Sequence, residues 1–146
     1  MKTKKYVVLV CAALLVSLLL SEVFVMADET EQAECKSKLA VLWTSGDADV
    51  AYKVCFMYTN AAKKSKWFDE VTLIVWGPSS RLLAGDKNLQ AEIKKMQENG
   101  VVVKACLACA NLYGVTDKLR ELGIEVKYMG RPLSDMLKGG WKVLTF

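Results

Sequence analysis

The sequence predicts an α/β domain with three layers, in which a parallel five-stranded sheet lies between helices. Three observations support this class. Five short apolar segments alternate with segments of helical periodicity, and the connections between them are short. The strand segments are apolar almost throughout, which is typical of strands buried on both faces. The chain of 146 residues is long enough for one domain with its own core.

The predicted strands are runs of apolar, often β-branched residues, and several end at turn-forming residues. A Thr-Ser-Gly-Asp stretch follows the first strand, and Gly-Pro-Ser-Ser follows the second. In chain order, the predicted strands are residues 38–43, 67–76, 101–105, 124–128 and 141–146.

The segments between the strands have apolar residues at helical spacing and recognisable helix ends. Residues 47–64 show this spacing most clearly, with Asp47 as a candidate N-cap. The second helical segment after strand two ends at Asn99-Gly100, which is a typical C-terminal signal. The other predicted helices are residues 80–84, 87–98, 116–122 and 132–138.

The N-terminus resembles a secretory signal peptide. Three lysines in the first five residues precede the uncharged residues 6–21, and Val25-Met26-Ala27 fits a cleavage site. We therefore predict a signal peptide over residues 1–27, a linker over 28–37 and the α/β domain over 38–146. This predicts a periplasmic or secreted protein without a membrane association after cleavage. The alternative is a retained N-terminal membrane anchor.

Composition argues against several function classes. The net charge is only +4, and the predicted signal peptide contributes part of it, so nucleic acid is not expected as a partner. The chain has no histidine, which excludes Ser-His and Cys-His catalysis and histidine-ligated metals. Only one cysteine pair has ligand-like spacing, and no phosphate-binding loop is present. We therefore predict neither a metal nor a cofactor.

The best candidates for chemistry are Cys106 and Cys109, which directly follow the third strand. In parallel α/β sheets, ligands bind beyond the carboxyl ends of the strands. If the chain turns helical there, both sulfurs lie on one face, and Cys106 meets amide groups that favour its reactive thiolate. The alternative is that both are small, buried apolar residues.

Other candidates near the predicted carboxyl edge are weaker. Arg81 could hold an anionic sulfur species, although a surface ion pair is the simpler role. Ser79 could offer a hydroxyl to a ligand, although helix capping is the simpler role. Cys55 is expected to be buried and inert, and Cys35, in the linker, is either free or paired between chains.

The segment from Val103 to Asp117, which reads VKACLACANLYGVTD, resembles the DsrE/DsrF-like sulfur-relay family. In that family's pattern, a strand is followed by a cysteine, a run of small residues and Gly-Val-x-Asp. Cys106 stands at the position of the relay cysteine, whereas Cys109 has no required counterpart. The resemblance implies the DsrE-like fold, a persulfide on Cys106, a sulfur donor or acceptor protein as partner, and a homo-oligomer.

The sequence thus predicts an exported sulfur carrier or sulfurtransferase-like protein that uses Cys106. Two alternatives remain open. The first is a thiol–disulfide redox protein in which Cys106 and Cys109 cycle. The second is a non-enzymatic module that binds a ligand or partner, because a fold does not determine a function.

Overall fold

Five parallel strands form a single sheet in the order β4-β3-β2-β1-β5. The computed structural model describes residues 36–146, so the predicted signal peptide and most of the predicted linker lie outside the described residues. The predicted parallel five-stranded α/β fold is confirmed. The strands are β1 (Lys38–Trp43), β2 (Glu70–Val75), β3 (Val102–Cys106), β4 (Glu125–Lys127) and β5 (Lys142–Thr145).

Helices fill every connection between consecutive strands. The first, α1, is continuous over residues 48–64 and comprises Ala48–Val50, a π-helical stretch Ala51–Phe56, and Met57–Lys64. The Asp47 carboxylate caps it, accepting hydrogen bonds from the amides of Asp49 and Val50. The remaining helices are α2 (Pro78–Gly85), α3 (Lys87–Glu98), α4 (Leu107–Leu112), α5 (Thr116–Glu121) and α6 (Gly130–Lys138).

The strand order determines which face each helix covers. From β1 to β4 the chain always moves in one direction across the sheet, so right-handed crossovers place the intervening helices on one face. The chain then returns past three strands to place β5 beside β1, and the same handedness puts α6 on the opposite face.

Two separate groups of buried side chains reflect this arrangement. The larger cluster receives side chains from β1–β3 and from helices α1 to α5. The smaller cluster, on the opposite face, contains Ala40, Ile74, Cys106 and Met129, with residues of α6 packed against it. Helix α6 itself has no buried residue. Residues 36–146 therefore cover the second face of the sheet less fully than the first.

Most element boundaries differ from those predicted by one to three residues, and two of these differences have a clear physical reason. Strand β2 begins at Glu70 rather than at residue 67, because residues 65–69 form a turn in which Lys66 has a φ of 55°. Helix α2 begins at Pro78 rather than at residue 80, since proline fits the first turn of a helix, where its missing N–H needs no partner. Within residues 36–146, no helix has the length and apolar character needed to cross a membrane.

Candidate functional site

The carboxyl edge of the sheet divides into two regions. The first region lies between β1 and β5, where the strand order reverses. There the loop after β1 is bonded to the residue after β5: the Phe146 carbonyl accepts hydrogen bonds from the amide and the hydroxyl of Thr44 at 2.7 and 2.9 Å. The loops after β2, β3 and β4 instead converge around Cys106 and Cys109. The candidate site therefore lies away from the reversal point that usually holds ligands in such sheets.

Cys106 ends β3 and is the N-cap residue of α4, with extended backbone angles (φ −75°, ψ 114°). Its side chain belongs to the smaller cluster and is only 4% exposed. Burial raises the pKa of the Cys106 thiol. This effect is outweighed by groups that lower the pKa, which are the backbone amides of Cys109, Met129 and Ala108 and the thiol of Cys109. The pKa of Cys106 is therefore lowered, and the thiolate is favoured.

Cys109, in the first turn of α4, is half-buried, and its pKa shifts in the opposite direction to that of Cys106. Burial raises the pKa of the Cys109 thiol, and the hydrogen bond to Cys106 and the charge of its thiolate raise it further, whereas the Gly77 amide opposes them. The pKa of Cys109 is therefore raised, and its thiol form is favoured. Of the two cysteines, Cys106 is the one whose thiolate the surroundings favour.

Two of these amide donors come from other loops. Met129 follows β4, and Gly77 follows β2 with a φ of 73° and a ψ of −135°, a conformation that favours glycine. The sequence pointed to the carboxyl ends of the strands in general but identified neither amide. A backbone donor leaves no residue-type signature, and its direction depends on tertiary packing.

Ser79 is fully buried at the start of α2. Its hydroxyl donates to the Trp43 carbonyl at 2.6 Å and accepts from the Trp76 amide at 3.0 Å. These bonds tie the ends of β1 and β2 together. The Ser79 hydroxyl therefore uses its hydrogen-bond donor and an acceptor site within the fold itself.

Arg81 is exposed on α2, and its guanidinium lies over the ring of Tyr113, 5.3 Å from the centroid. Tyr113 is the C-cap residue of α4, about 10 Å along the helix from Cys106. Within residues 36–146, Arg81 takes part in no ion pair. The guanidinium of Arg81, a residue of α2, therefore lies against the far end of the cysteine-bearing helix α4 and not beside Cys106.

A charged cluster lies on the same sheet face as Cys106. Lys104 and Lys127 both contact the carboxylate of Glu125, at 3.0 and 2.6 Å. In the sheet register, Lys104 pairs with Glu125 and Cys106 with Lys127. The lysines are thus held by Glu125 beside the site.

Cys55 lies in the larger cluster, on the opposite face of the sheet, and is fully buried. Burial raises its pKa to about 12, despite an opposing hydrogen bond with Thr59. Cys55, Cys106 and Cys109 are all free thiols. Cys35 lies outside the described residues. Across residues 36–146, no group of three or more cysteine or acidic side chains is arranged to hold a metal ion.

This arrangement defines a class: α/β domains that carry a cysteine with a lowered pKa at the carboxyl edge of a parallel sheet. The family model of the DsrE/DsrF-like family matches residues 37–146, and the chain belongs to this family, which is associated with sulfur relay. Among curated proteins, none matches this chain.

Two solved structures have the same fold. A conserved protein of unknown function, BT1422 from Bacteroides thetaiotaomicron, is 37% identical, with a TM-score of 0.73 over 75% of this chain and 95% of that one. The ychN protein from E. coli is 18% identical, with a TM-score of 0.59 over 75% of this chain and 99% of that one. The second comparison supports the fold alone.

Proposed function

We propose that this protein is an exported sulfur carrier, in which Cys106 accepts a sulfane sulfur and passes it to an acceptor. The observation that carries the proposal is the environment of Cys106: a cysteine at a strand end whose sulfur faces three backbone amides. Membership of a family associated with sulfur relay supports it. The export part of the proposal depends on the signal-peptide pattern of residues 1–27.

The chemistry begins with the Cys106 thiolate. It attacks the outer sulfur of a donor persulfide, so that a bond forms between the two sulfurs and the donor leaves as a thiolate. The product is a persulfide on Cys106, whose negative charge the same amides stabilise. A thiolate of an acceptor protein then attacks the outer sulfur, and Cys106 is released.

Donor and acceptor would approach from the side that carries α2 and α4. Arg81 is exposed there and has no carboxylate partner within residues 36–146. In this proposal its guanidinium attracts an anionic sulfur donor or an acidic partner surface, which is an electrostatic contribution to association rather than to the sulfur transfer itself.

The test is the alkylation rate against pH, measured with a small thiol reagent and followed by peptide mapping. Cys106 should react first, with an apparent pKa below the usual value of about 8.5 for a free thiol. The Cys106→Ser variant should lose this reaction, and Cys109→Ser should keep it. Cys55 is the internal control, because burial and its raised pKa should leave it unlabelled in the folded protein.

A second candidate is a thiol–disulfide redox protein, which the direct contact between the two cysteines favours. If Cys109 reacts faster than Cys106, the carrier proposal is wrong. If both thiols of the reduced, folded protein are inert, the non-enzymatic binding module becomes the better explanation.

A further inference from the structure

The two cysteines lie in the first turn of one helix, and Cys109 packs against the cluster that contains Cys106. Cys106 is the N-cap residue of α4, and Cys109 follows it by three positions. Helix geometry places the Cα atoms of such a pair about 5 to 6 Å apart, inside the range that disulfides require. Both side chains border the smaller cluster. A bond between the two sulfurs can therefore form without rearranging the sheet.

No other described cysteine can reach Cys106. Cys55, the third cysteine within residues 36–146, is buried on the opposite face of the sheet. Cys109 is also more exposed than Cys106, which is 4% exposed. Within residues 36–146, Cys109 is consequently the one thiol placed to react with a sulfur on Cys106 before an acceptor protein binds.

We propose that Cys109 resolves the Cys106 persulfide and that the pair thereby releases hydrosulfide. This inference rests on the proposed function, since it requires a persulfide on Cys106. The sulfur bound to Cys106 then has two outcomes. It is transferred when an acceptor is present, and it is reduced to hydrosulfide when no acceptor is present.

The step balances as follows. The Cys109 thiol loses its proton, and its sulfur attacks the Cys106 sulfur, forming a disulfide between them. The bond from Cys106 to the outer sulfur breaks, and this sulfur leaves with the electron pair as hydrosulfide, carrying a proton. The sulfane sulfur is reduced, and the two cysteine sulfurs are oxidised. A dithiol reductant then supplies two electrons and two protons to restore both thiols.

The experiment loads the reduced protein with a polysulfide, removes the excess, and follows the intact mass and the hydrosulfide released. All variants carry Cys35→Ser, so that the linker cysteine cannot contribute. Wild-type Cys109 is compared with Cys109→Ser, and Leu112→Ser, at an 85% exposed position of α4 outside the site, is the matched control. Peptide mapping identifies the modified cysteines.

With Cys109 present, a gain of about 32 Da should give way to a loss of about 2 Da, with one hydrosulfide per disulfide. In Cys109→Ser, the persulfide should persist at least about tenfold longer, because the intramolecular attack is lost. Leu112→Ser should behave like the protein with Cys109. If the persulfide decays equally fast in Cys109→Ser and no disulfide forms, this inference is overturned while the carrier proposal stands. If Cys109→Ser never gains sulfur on Cys106, the proposed function itself fails.

Discussion

At the scale of single residues, Cys106 and Cys55 show that burial alone does not determine the state of a thiol. Both are almost completely buried. The pKa of Cys55 rises to about 12 because desolvation is only weakly opposed, whereas backbone amides lower the pKa of Cys106. The sequence predicted a favoured thiolate for Cys106 from its position after a strand, and a buried, inert thiol for Cys55 from its position within a helix. The contribution of the Met129 amide could not be predicted, because it depends on how the loop after β4 packs.

Ser79 gives the first prediction at this scale. In Ser79→Ala, the Trp43 carbonyl and the Trp76 amide lose the hydroxyl but keep their 3.0 Å hydrogen bond to each other, so the free energy of unfolding should fall by about 0.5–1.5 kcal/mol. Urea denaturation measures this loss. Ser134→Ala is the control, because the Ser134 hydroxyl bonds the Gly130 carbonyl on an exposed helix surface and should contribute little.

The same variant distinguishes a structural serine from a ligand-binding serine. A structural role predicts that Ser79→Ala still loads sulfur on Cys106 with an unchanged pH profile. Unchanged stability combined with a loss of sulfur loading would instead support the ligand-binding role that the sequence suggested.

At the scale of elements, local sequence signals predicted most of the fold. The run of apolar residues in β3 and the glycines after the helices set the positions of strands and helices to within a few residues. The placement of β5 beside β1 was not predicted, because it follows from crossover handedness and from which strand edge is still free. The π-helical stretch in α1 also has no simple sequence signal.

Gly77 gives the prediction at this scale. It connects β2 to α2 with a φ of 73° and a ψ of −135°, and nothing lies within 4 Å of an added Cβ. Gly77→Ala should therefore be destabilised by backbone strain rather than by a clash, by about 1–3 kcal/mol. Gly85→Ala is the matched control: it has neither a positive φ nor a close neighbour, and it should be neutral or slightly stabilising.

The reactivity of Cys109 provides a second readout for Gly77→Ala. The Gly77 amide lowers the pKa of Cys109, so that displacement of this amide should raise the pKa further. Alkylation of Cys109 should then shift to higher pH, whereas Gly85→Ala should leave it unchanged. A pH profile for Gly77→Ala identical to that of the unmodified protein would show that this amide does not influence Cys109.

At the scale of the whole molecule, residues 36–146 cover the two faces of the sheet unequally. Parallel sheets are normally buried on both faces, yet the main helix that these residues place on the side of the smaller cluster is α6, which has no buried residue. Val102 is 51% exposed and, two positions before Lys104 on β3, points to this face. Beside it lies the charged cluster of Lys104, Glu125 and Lys127. An apolar centre with a charged rim is typical of a protein interface.

The occupant of this face that we expect is a second copy of the chain, in line with the homo-oligomer that the sequence suggested. Light scattering at micromolar concentration should report a mass above that of one chain. Val102→Glu should shift the protein toward monomers, because it introduces a carboxylate into the apolar part of the interface near Glu125. Val54→Glu is the matched control, since Val54 is a 42% exposed valine on α1, the helix that covers the other face. Both variants should unfold like the unmodified protein, because neither valine is buried within the single chain. A monomeric unmodified protein, or dissociation by Val54→Glu and not by Val102→Glu, would contradict this interface.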